Sequence, residues 1–167
     1  NYFEILEDLL IAVRLPVFSR RAKRRLISHS KFYYFDTGVF RTLRPKGPLD
    51  RTEEIEGAAL ESLVFQELRA LNEYYELAYE IFFWRTTSNL EVDFVLYGPK
   101  GFIAIEVKRK KRLSQRDLKS LKAFSNDYPE AQCYLFYMGG REEFWDAIRV
   151  LPVEKALVNL VNLLSGE

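Results

Sequence analysis

The chain of 167 residues is 48% hydrophobic and 15% aromatic, so it can bury a core, and its length suggests one domain or one domain plus a fragment. A formal net charge of +1 excludes a strong overall field toward nucleic acid, and a single cysteine excludes an internal disulfide and a cysteine-rich zinc site. No apolar stretch approaches the roughly 18 residues of a membrane span and no signal peptide is visible, so we expect a reducing, cytoplasmic setting without membrane contact.

The N-terminal part predicts a helix over 1–13, then short strands over 15–18 and 32–35. Five cations in six residues lie between the strands. The order helix, strand, basic loop, strand resembles the back half of a winged helix, whose loop would lie along phosphates. A solvated loop is the alternative. The five cations are Arg20, Arg21, Lys23, Arg24 and Arg25.

A turn-rich segment at 44–52 contains Pro45, Gly47 and Pro48. We place a domain boundary there, between a partial winged-helix-like segment at 1–50 and a main domain at 53–167. The chain begins at Asn1 and its only methionine is Met138. We therefore expect a piece of a longer protein, or a protein that lost its N-terminus.

The main domain opens with a predicted helix over about 53–76, whose apolar stripe contains Leu60, Val64, Leu68 and Leu71. Glu61 lies on or beside this stripe rather than opposite it. A carboxylate in such a place needs a partner. It could pair with a basic residue, or it could face a metal site as a further ligand.

A predicted strand over 81–85 is followed by a β-hairpin from Asn89 to Lys108 that turns at 98–101. Side chains on a strand alternate between its faces. Glu91, Asp93 and Val95 should therefore share one face of the first strand. On the second strand the shared face should hold Phe102, Ala104, Glu106 and Lys108.

If the register brings the polar ends together, Asp93, Glu106 and Lys108 converge on one spot. Two nearby carboxylates repel each other and suit Mg²⁺ or Mn²⁺. A lysine beside them could steer an attacking water or stabilise charge on a phosphate. The alternative is a surface ion pair, which contributes little. The apolar character of the surrounding strand positions favours the metal site.

An unbroken run of five cations, 108–112, follows the hairpin. Ser114 is then a good N-cap for a helix with Leu118, Leu121 and Phe124 on its apolar face. Strands over 131–138 and 147–151 and a closing helix over 153–164 complete the domain. Helices alternating with strands late in the chain, after an early hairpin, predict an α/β fold with a mixed sheet flanked by helices.

Glu61 on the first helix, Asp93 on the second strand and Glu106-Val107-Lys108 on the third resemble the signature of the PD-(D/E)XK nuclease superfamily, over roughly 55–151. The resemblance implies a restriction-endonuclease-like fold. It also implies that Glu61, Asp93 and Glu106 bind magnesium or manganese, and that Lys108 assists the attacking water. The proline usually written before the aspartate is Val92 here, a position that varies widely.

A second resemblance spans almost the whole chain, to the C-terminal half of a prokaryotic AAA-type ATPase family of uncertain role. It implies a winged helix, a nuclease-like domain and, in the full-length protein, an N-terminal ATPase domain. The chain has no G-x-x-x-x-G-K-[ST] loop, so it is not itself the ATPase. The motifs that carry the resemblance are Tyr34-Phe35-Asp36-Thr37-Gly38, Gly57-Ala58-Ala59-Leu60-Glu61, Glu91-Val92-Asp93-Phe94 and Ile105-Glu106-Val107-Lys108.

Two functions follow as expectations. The first is a magnesium-dependent nuclease, with DNA favoured as the substrate and metal weakly bound until substrate arrives. The second is a catalytically silent module that binds nucleic acid or a partner protein. The complete set of three acids and a lysine favours the first, and the only histidine, His29, lies outside the main domain. In either case the expected contacts to nucleic acid are Arg20, Arg21, Lys23, Arg24, Arg25, Arg109, Lys110, Lys111 and Arg112.

Overall fold

A six-stranded mixed sheet forms the centre of the computed structural model, which describes residues 2–44 and 47–166. Asn1 in the predicted first helix, Pro45 in the predicted boundary and the last residue, Glu167, lie outside the described residues. The N-terminal elements are α1 (Tyr2–Asp8), β1 (Ala12–Leu15), β2 (Lys31–Tyr34) and α2 (Thr37–Leu43). Next come α3 (Thr52–Tyr74), β3 (Glu80–Arg85), β4 (Glu91–Gly98) and β5 (Gly101–Lys108). The remaining elements are a 3-10 helix (Gln115–Leu118), α4 (Lys119–Asp127), β6 (Gln132–Tyr137), β7 (Glu143–Trp145), β8 (Ile148–Pro152), α5 (Val153–Val158) and α6 (Leu160–Ser165).

The strand order in the sheet is β3-β4-β5-β6-β8-β7. Strands β3, β4 and β5 form an antiparallel meander, β5, β6 and β8 are parallel, and β7 pairs antiparallel with β8. Each face carries a hydrophobic cluster, one joined by α3 and α6 and the other by α4. The predicted mixed sheet flanked by helices is therefore confirmed. We call these the α3 cluster and the α4 cluster.

On β5 the predicted alternation of side chains holds. Ile103, Ile105 and Val107 belong to the α3 cluster, whereas Ala104 belongs to the α4 cluster. The predicted hairpin turn is also present, because Gly98 pairs with Gly101 across it.

On β4 the predicted strict alternation is wrong. Val92 and Val95 lie in the same α4 cluster, although the prediction assigned them to opposite faces. The pairing of β3 with β4 shifts between Phe82↔Val95 and Trp84↔Val92, so β4 has one more residue than β3 in that interval. The extra residue is a β-bulge at 93–94, and such bulges bend a strand and re-aim its side chains.

The chain between β1 and β2 runs along the free edge of β3 rather than forming a separate wing. The Phe18 amide donates to the Phe83 carbonyl at 2.7 Å, and the Ile27 amide donates to the Arg85 carbonyl at 3.1 Å. Phe18 is only 1% exposed and lies in the α4 cluster. The strands predicted over 15–18 and 32–35 are displaced to 12–15 and 31–34, because 16–18 hydrogen bonds to β3 instead.

Other predicted elements differ mainly at their ends. The helix predicted over about 53–76 is α3, and Ser114 caps the 3-10 helix together with Asp117, whose carboxylate accepts the Ser114 amide at 2.8 Å. Helix α2 and strand β7 were not predicted. Asp36 begins α2, since its carboxylate accepts the Val39 amide at 3.0 Å. The closing helix is divided into α5 and α6. Across the described ranges, no helix is both long enough and apolar enough to cross a membrane.

Candidate active site

Strands β4 and β5 separate at the end of the hairpin that carries the predicted acids. Their pairing runs from Gly98↔Gly101 to Phe94↔Ile105, whereas β5 continues to pair with β6 through Lys108. We call the opening beyond Phe94 and Ile105 the fork. At the fork, Asp93 Oδ2 accepts a hydrogen bond from the Val107 amide at 2.8 Å. The Asp93 carboxylate therefore lies between the two strands, where a backbone carbonyl would continue a regular ladder.

Glu106 and Lys108 are two residues apart on β5 and contact each other. Lys108 Nζ lies 2.5 Å from Glu106 Oε1. Glu106 is only 3% exposed, and its second oxygen, Oε2, is buried without a hydrogen-bond partner. A buried carboxylate oxygen without a donor is costly, so this oxygen is a ready acceptor for an added ligand.

Glu61 approaches from α3, one helical turn before Phe65. The Phe65 and Phe94 rings stack with centroids 5.6 Å apart, which holds this part of α3 against β4. Glu61 Oε1 accepts a hydrogen bond from Lys31 Nζ at 3.1 Å and another from the Tyr33 hydroxyl. Of the two partners left open by the sequence, the structure provides the basic one, and metal binding by Glu61 stays a prediction.

Lys31 and Tyr33 on β2 were not identified as site residues. Besides Glu61, Lys31 Nζ contacts Glu91 Oε1 and lies 3.8 Å from Asp93 Oδ1. The only sequence signal was local: Lys31 and Tyr33 are two residues apart and so share one side of a strand. That spacing says nothing about which carboxylates they meet.

The electrostatics of the fork favour protonated or cation-bound carboxyl groups. Burial raises the pKa of Asp93 well above its ordinary value, the Glu61 charge raises it further, and Lys31 only partly offsets this. Burial likewise raises the pKa of Glu106 to about 7, although Lys108 opposes the shift. A divalent cation would compete with protons for these oxygens.

The two lysines stay charged in this setting. Burial lowers the pKa of Lys31, but the charges of Glu61, Asp93 and Glu91 raise it more, so the net shift is upward. The pKa of Lys108 is also raised, because the Glu106 carboxylate outweighs the effect of burial. Both ammonium groups therefore compensate the negative charge of the cluster at neutral pH.

The donors present fit a magnesium ion only in part. Within 2–44 and 47–166, no group of three or more histidine, cysteine, aspartate or glutamate side chains is arranged to hold a metal ion. Magnesium usually takes one or two carboxylates and completes its shell with water and phosphate oxygens. Asp93 and the orphan oxygen of Glu106 fit that pattern. Glu61 is already engaged by Lys31 and Tyr33.

The basic run after β5 leaves the sheet at the fork. Arg109, Lys110, Lys111 and Arg112 are all exposed. Lys110 Nζ lies 2.5 Å from Asp117 Oδ1, so this cation has a partner within the chain. The run is thus positioned beside the carboxylates.

The start of the first basic segment lies at the other end of the hairpin. Arg20, Arg21 and Lys23 line a groove together with Gly98 and Gly101, at the turn end of the hairpin. That end is about 17 Å along β4 from Asp93, at roughly 3.4 Å per residue. The structure therefore does not place Arg20, Arg21 or Lys23 beside the run 109–112, whereas the Arg25 carbonyl accepts the Thr87 amide in the loop before β4.

Two cations of the first basic segment have acidic partners. Arg20 binds Glu80 at 2.7 Å, and Arg24 binds Asp127 at 2.6 Å. Both guanidinium groups therefore contribute to packing the segment onto the domain. His29 is exposed, as expected for a surface residue.

The fold and the fork define an α/β domain with a carboxylate and lysine cluster at the end of a β-hairpin. The chain belongs to the family described as domain of unknown function DUF4143, whose model matches residues 56–156. Residues 1–50 match a second model, described as domain of unknown function DUF8612. No curated protein matches the chain.

Proposed function

We propose that the main domain is a magnesium-dependent nuclease of the PD-(D/E)XK type that hydrolyses phosphodiester bonds, with DNA as the favoured substrate. The observation that carries the proposal is the fork. Asp93 accepts the Val107 amide between the separating strands, and the neighbouring Glu106 keeps one buried oxygen without a donor. Glu106 and Lys108 also supply the acid and lysine that this chemistry requires.

Each residue has a distinct role in the proposed reaction. Asp93 and Glu106 would hold the divalent cation, together with phosphate oxygens of the substrate. A bound divalent cation supplies charge neutralisation and a nucleophile at neutral pH. Lys108, held 2.5 Å from Glu106, orients the attacking water or shares the charge that develops on the phosphate.

A second candidate function is a catalytically silent module that binds nucleic acid or a partner protein. The Lys31 ammonium among Glu61, Glu91 and Asp93 supports it, because these acids already share a cation without a metal. Measured cleavage separates the two candidates.

We expect Lys108→Ala to lower cleavage at saturating substrate by about a hundredfold or more, since preorganised charge at a reacting phosphate is worth a few kcal/mol. Nucleic-acid affinity should be nearly unchanged, because the exposed run 109–112 remains. The assay incubates the protein with single-stranded DNA, double-stranded DNA and RNA, with magnesium, manganese or a chelator. Lys111→Ala, which removes an exposed lysine of the same run, is the matched control.

Two outcomes would contradict the proposal. Cleavage by Lys108→Ala at the wild-type rate would assign the activity to another site or to a contaminant. If the wild type cuts no substrate with either metal, the binding module is the better description.

The resemblance to AAA-type ATPases adds a proposal about the full-length protein. We infer that an N-terminal ATPase domain precedes this chain and that the protein is cytoplasmic. The basic run beside the fork would then bind nucleic acid that the ATPase domain engages or moves.

A further inference from the structure

Lys31 lies where a cation would be expected among the acids of the fork. Its Nζ atom is 3.1 Å from Glu61 Oε1 and 3.8 Å from Asp93 Oδ1, and it also contacts Glu91 Oε1. These carboxylates come from α3 and β4, two elements that meet only in the folded domain. A single ammonium group therefore joins three acids.

The surroundings of Lys31 hold its ammonium in place. Only 22% of its side chain is exposed, and Nζ lies 5.3 Å from the centroid of the Phe83 ring. Tyr33, on the same side of β2, donates its hydroxyl to Glu61. Arg85 occupies the other oxygen of Glu91 at 3.3 Å. The Lys31 ammonium is thus enclosed by the Phe83 ring and by two carboxylates that have other partners as well, since Glu61 also binds Tyr33 and Glu91 also binds Arg85.

Despite these cations, one carboxylate oxygen of the cluster, on Glu106, has no hydrogen-bond donor. This oxygen, Oε2, is buried, although Oε1 binds Lys108. The N-terminal segment thus supplies a cation to the α3 side of the cluster and leaves an acceptor on the β5 side. An incoming divalent cation would meet this acceptor, Asp93 and the Lys31 charge together.

We infer that Lys31 is a positioning residue that competes with the divalent cation for Asp93 and so keeps metal affinity low until a phosphate arrives. The inference rests on the proposed metal site, and it assigns a role to the segment 1–50. Two like charges about 4 Å apart repel strongly at a partly buried site. The metal can bind tightly only when Lys31 moves off Asp93, or when substrate phosphates add negative charge.

The test measures manganese binding by calorimetry without nucleic acid, so it does not depend on cleavage. Lys31→Met should bind manganese at least about tenfold more tightly than the wild type, because the competing charge is gone. Lys31→Arg, which keeps the charge, should bind as weakly as the wild type. Lys100→Met is the matched control, since Lys100 is exposed at the hairpin turn.

Thermal unfolding gives a second measurement, because Lys31→Met leaves the buried Asp93 and the half-buried Glu61 and Glu91 without this cation. Its melting temperature should be lower than that of the wild type without metal, and manganese should raise it more than it raises the wild-type value. If Lys31→Met does not fold, Lys31→Gln, which keeps a donor for Glu61, takes its place.

The inference is overturned if folded Lys31→Met binds manganese no more tightly than the wild type. It is also overturned if neither Lys31→Met nor Lys31→Gln folds at saturating manganese, since the ammonium would then have a structural role that a metal cannot replace. Absence of cleavage by the wild type would contradict the proposed nuclease, but it would leave the manganese comparison intact.

Discussion

At the scale of single residues, one extra residue in β4 decides where the central acid lies. The bulge at 93–94 allows Phe94 to pack under Phe65 in the α3 cluster while Val92 packs in the α4 cluster. Asp93 is left between these two anchors, and its carboxylate turns into the fork to accept the Val107 amide. A regular strand would have placed Asp93 on the opposite side from Phe94.

Glu106→Gln should change how stability depends on pH. The folded pKa of Glu106, about 7, exceeds the value of roughly 4.3 for a free glutamate, so the folded state holds the proton more tightly. The stability from this group is fully present below about pH 4.3 and is lost as the pH rises to about 7. Glu106→Gln removes this loss, so it should gain stability relative to the wild type by up to about 3 kcal/mol between pH 4.5 and pH 8.

Thermal unfolding followed by circular dichroism across this pH range checks the prediction, without added metal. Glu130→Gln is the control, because Glu130 is exposed in the loop after α4. A difference between Glu106→Gln and the wild type that stays constant with pH would show that folding does not raise the pKa of Glu106.

At the scale of elements, the two ends of the hairpin formed by β4 and β5 have different roles. Its turn end is closely packed: a Cβ atom on Gly98 would lie 2.6 Å from the Ala78 carbonyl oxygen, so only glycine fits there. Its fork end carries the acids and is followed directly by the exposed run 109–112. Binding and chemistry are therefore predicted at the same end of one element.

Removing three cations of this run should weaken nucleic-acid binding similarly for all sequences. The variant is Arg109→Gln, Lys111→Gln and Arg112→Gln together, and it leaves the pair between Lys110 and Asp117 intact. Each lost phosphate contact lowers the slope of log affinity against log salt by about 0.9 on double-stranded DNA, so the slope should fall by about 2 to 3. Fluorescence anisotropy at several salt concentrations measures it.

The charge-matched control replaces three exposed cations away from the fork. Arg51 precedes α3, Arg69 lies on α3, and Lys100 lies at the hairpin turn. Its salt slope should remain close to that of the wild type. An equal loss of slope in both triple variants would mean that general charge, rather than the run beside the fork, holds the phosphates.

At the scale of the whole molecule, the two segments proposed as separate units share their cores. Leu15 and Tyr33 belong to the α3 cluster, and Phe18 belongs to the α4 cluster. The aromatic neighbours of Phe18 include Phe124 on α4 and Tyr128 directly after it, and both belong to the same α4 cluster as Phe18. We therefore expect residues 1–50 to unfold together with the main domain.

Phe18→Ala should destabilise the entire chain by about 3–5 kcal/mol, because it removes a fully buried aromatic side chain. Denaturant unfolding followed by both circular dichroism and tryptophan fluorescence should give one coincident transition, since Trp84 lies in the same cluster. Leu49→Ala, at a side chain that is 95% exposed, should change stability by no more than about 0.5 kcal/mol. Two separate transitions, with only one shifted by Phe18→Ala, would show independent units.

The sequence by itself determined the features that depend on local spacing. The hairpin, its turn, the stripe of α3 and the capping serine follow from periodicity and turn chemistry over a few residues. The same reasoning placed Glu106 and Lys108 on one side of β5, because two residues separate them on a strand that is regular there. Two short elements, α2 and β7, were missed, since runs of three to seven residues carry little periodic signal.

Only the tertiary structure decided which charges meet at the fork. Lys31 is 30 residues from Glu61 in the sequence and further still from Asp93, so no local pattern relates them. Likewise, the bulge at Asp93 arises from the pairing of β4 with β3 and from packing on both faces of the sheet. Contacts between distant elements depend on how the whole core packs, and a single strand or helix does not encode that.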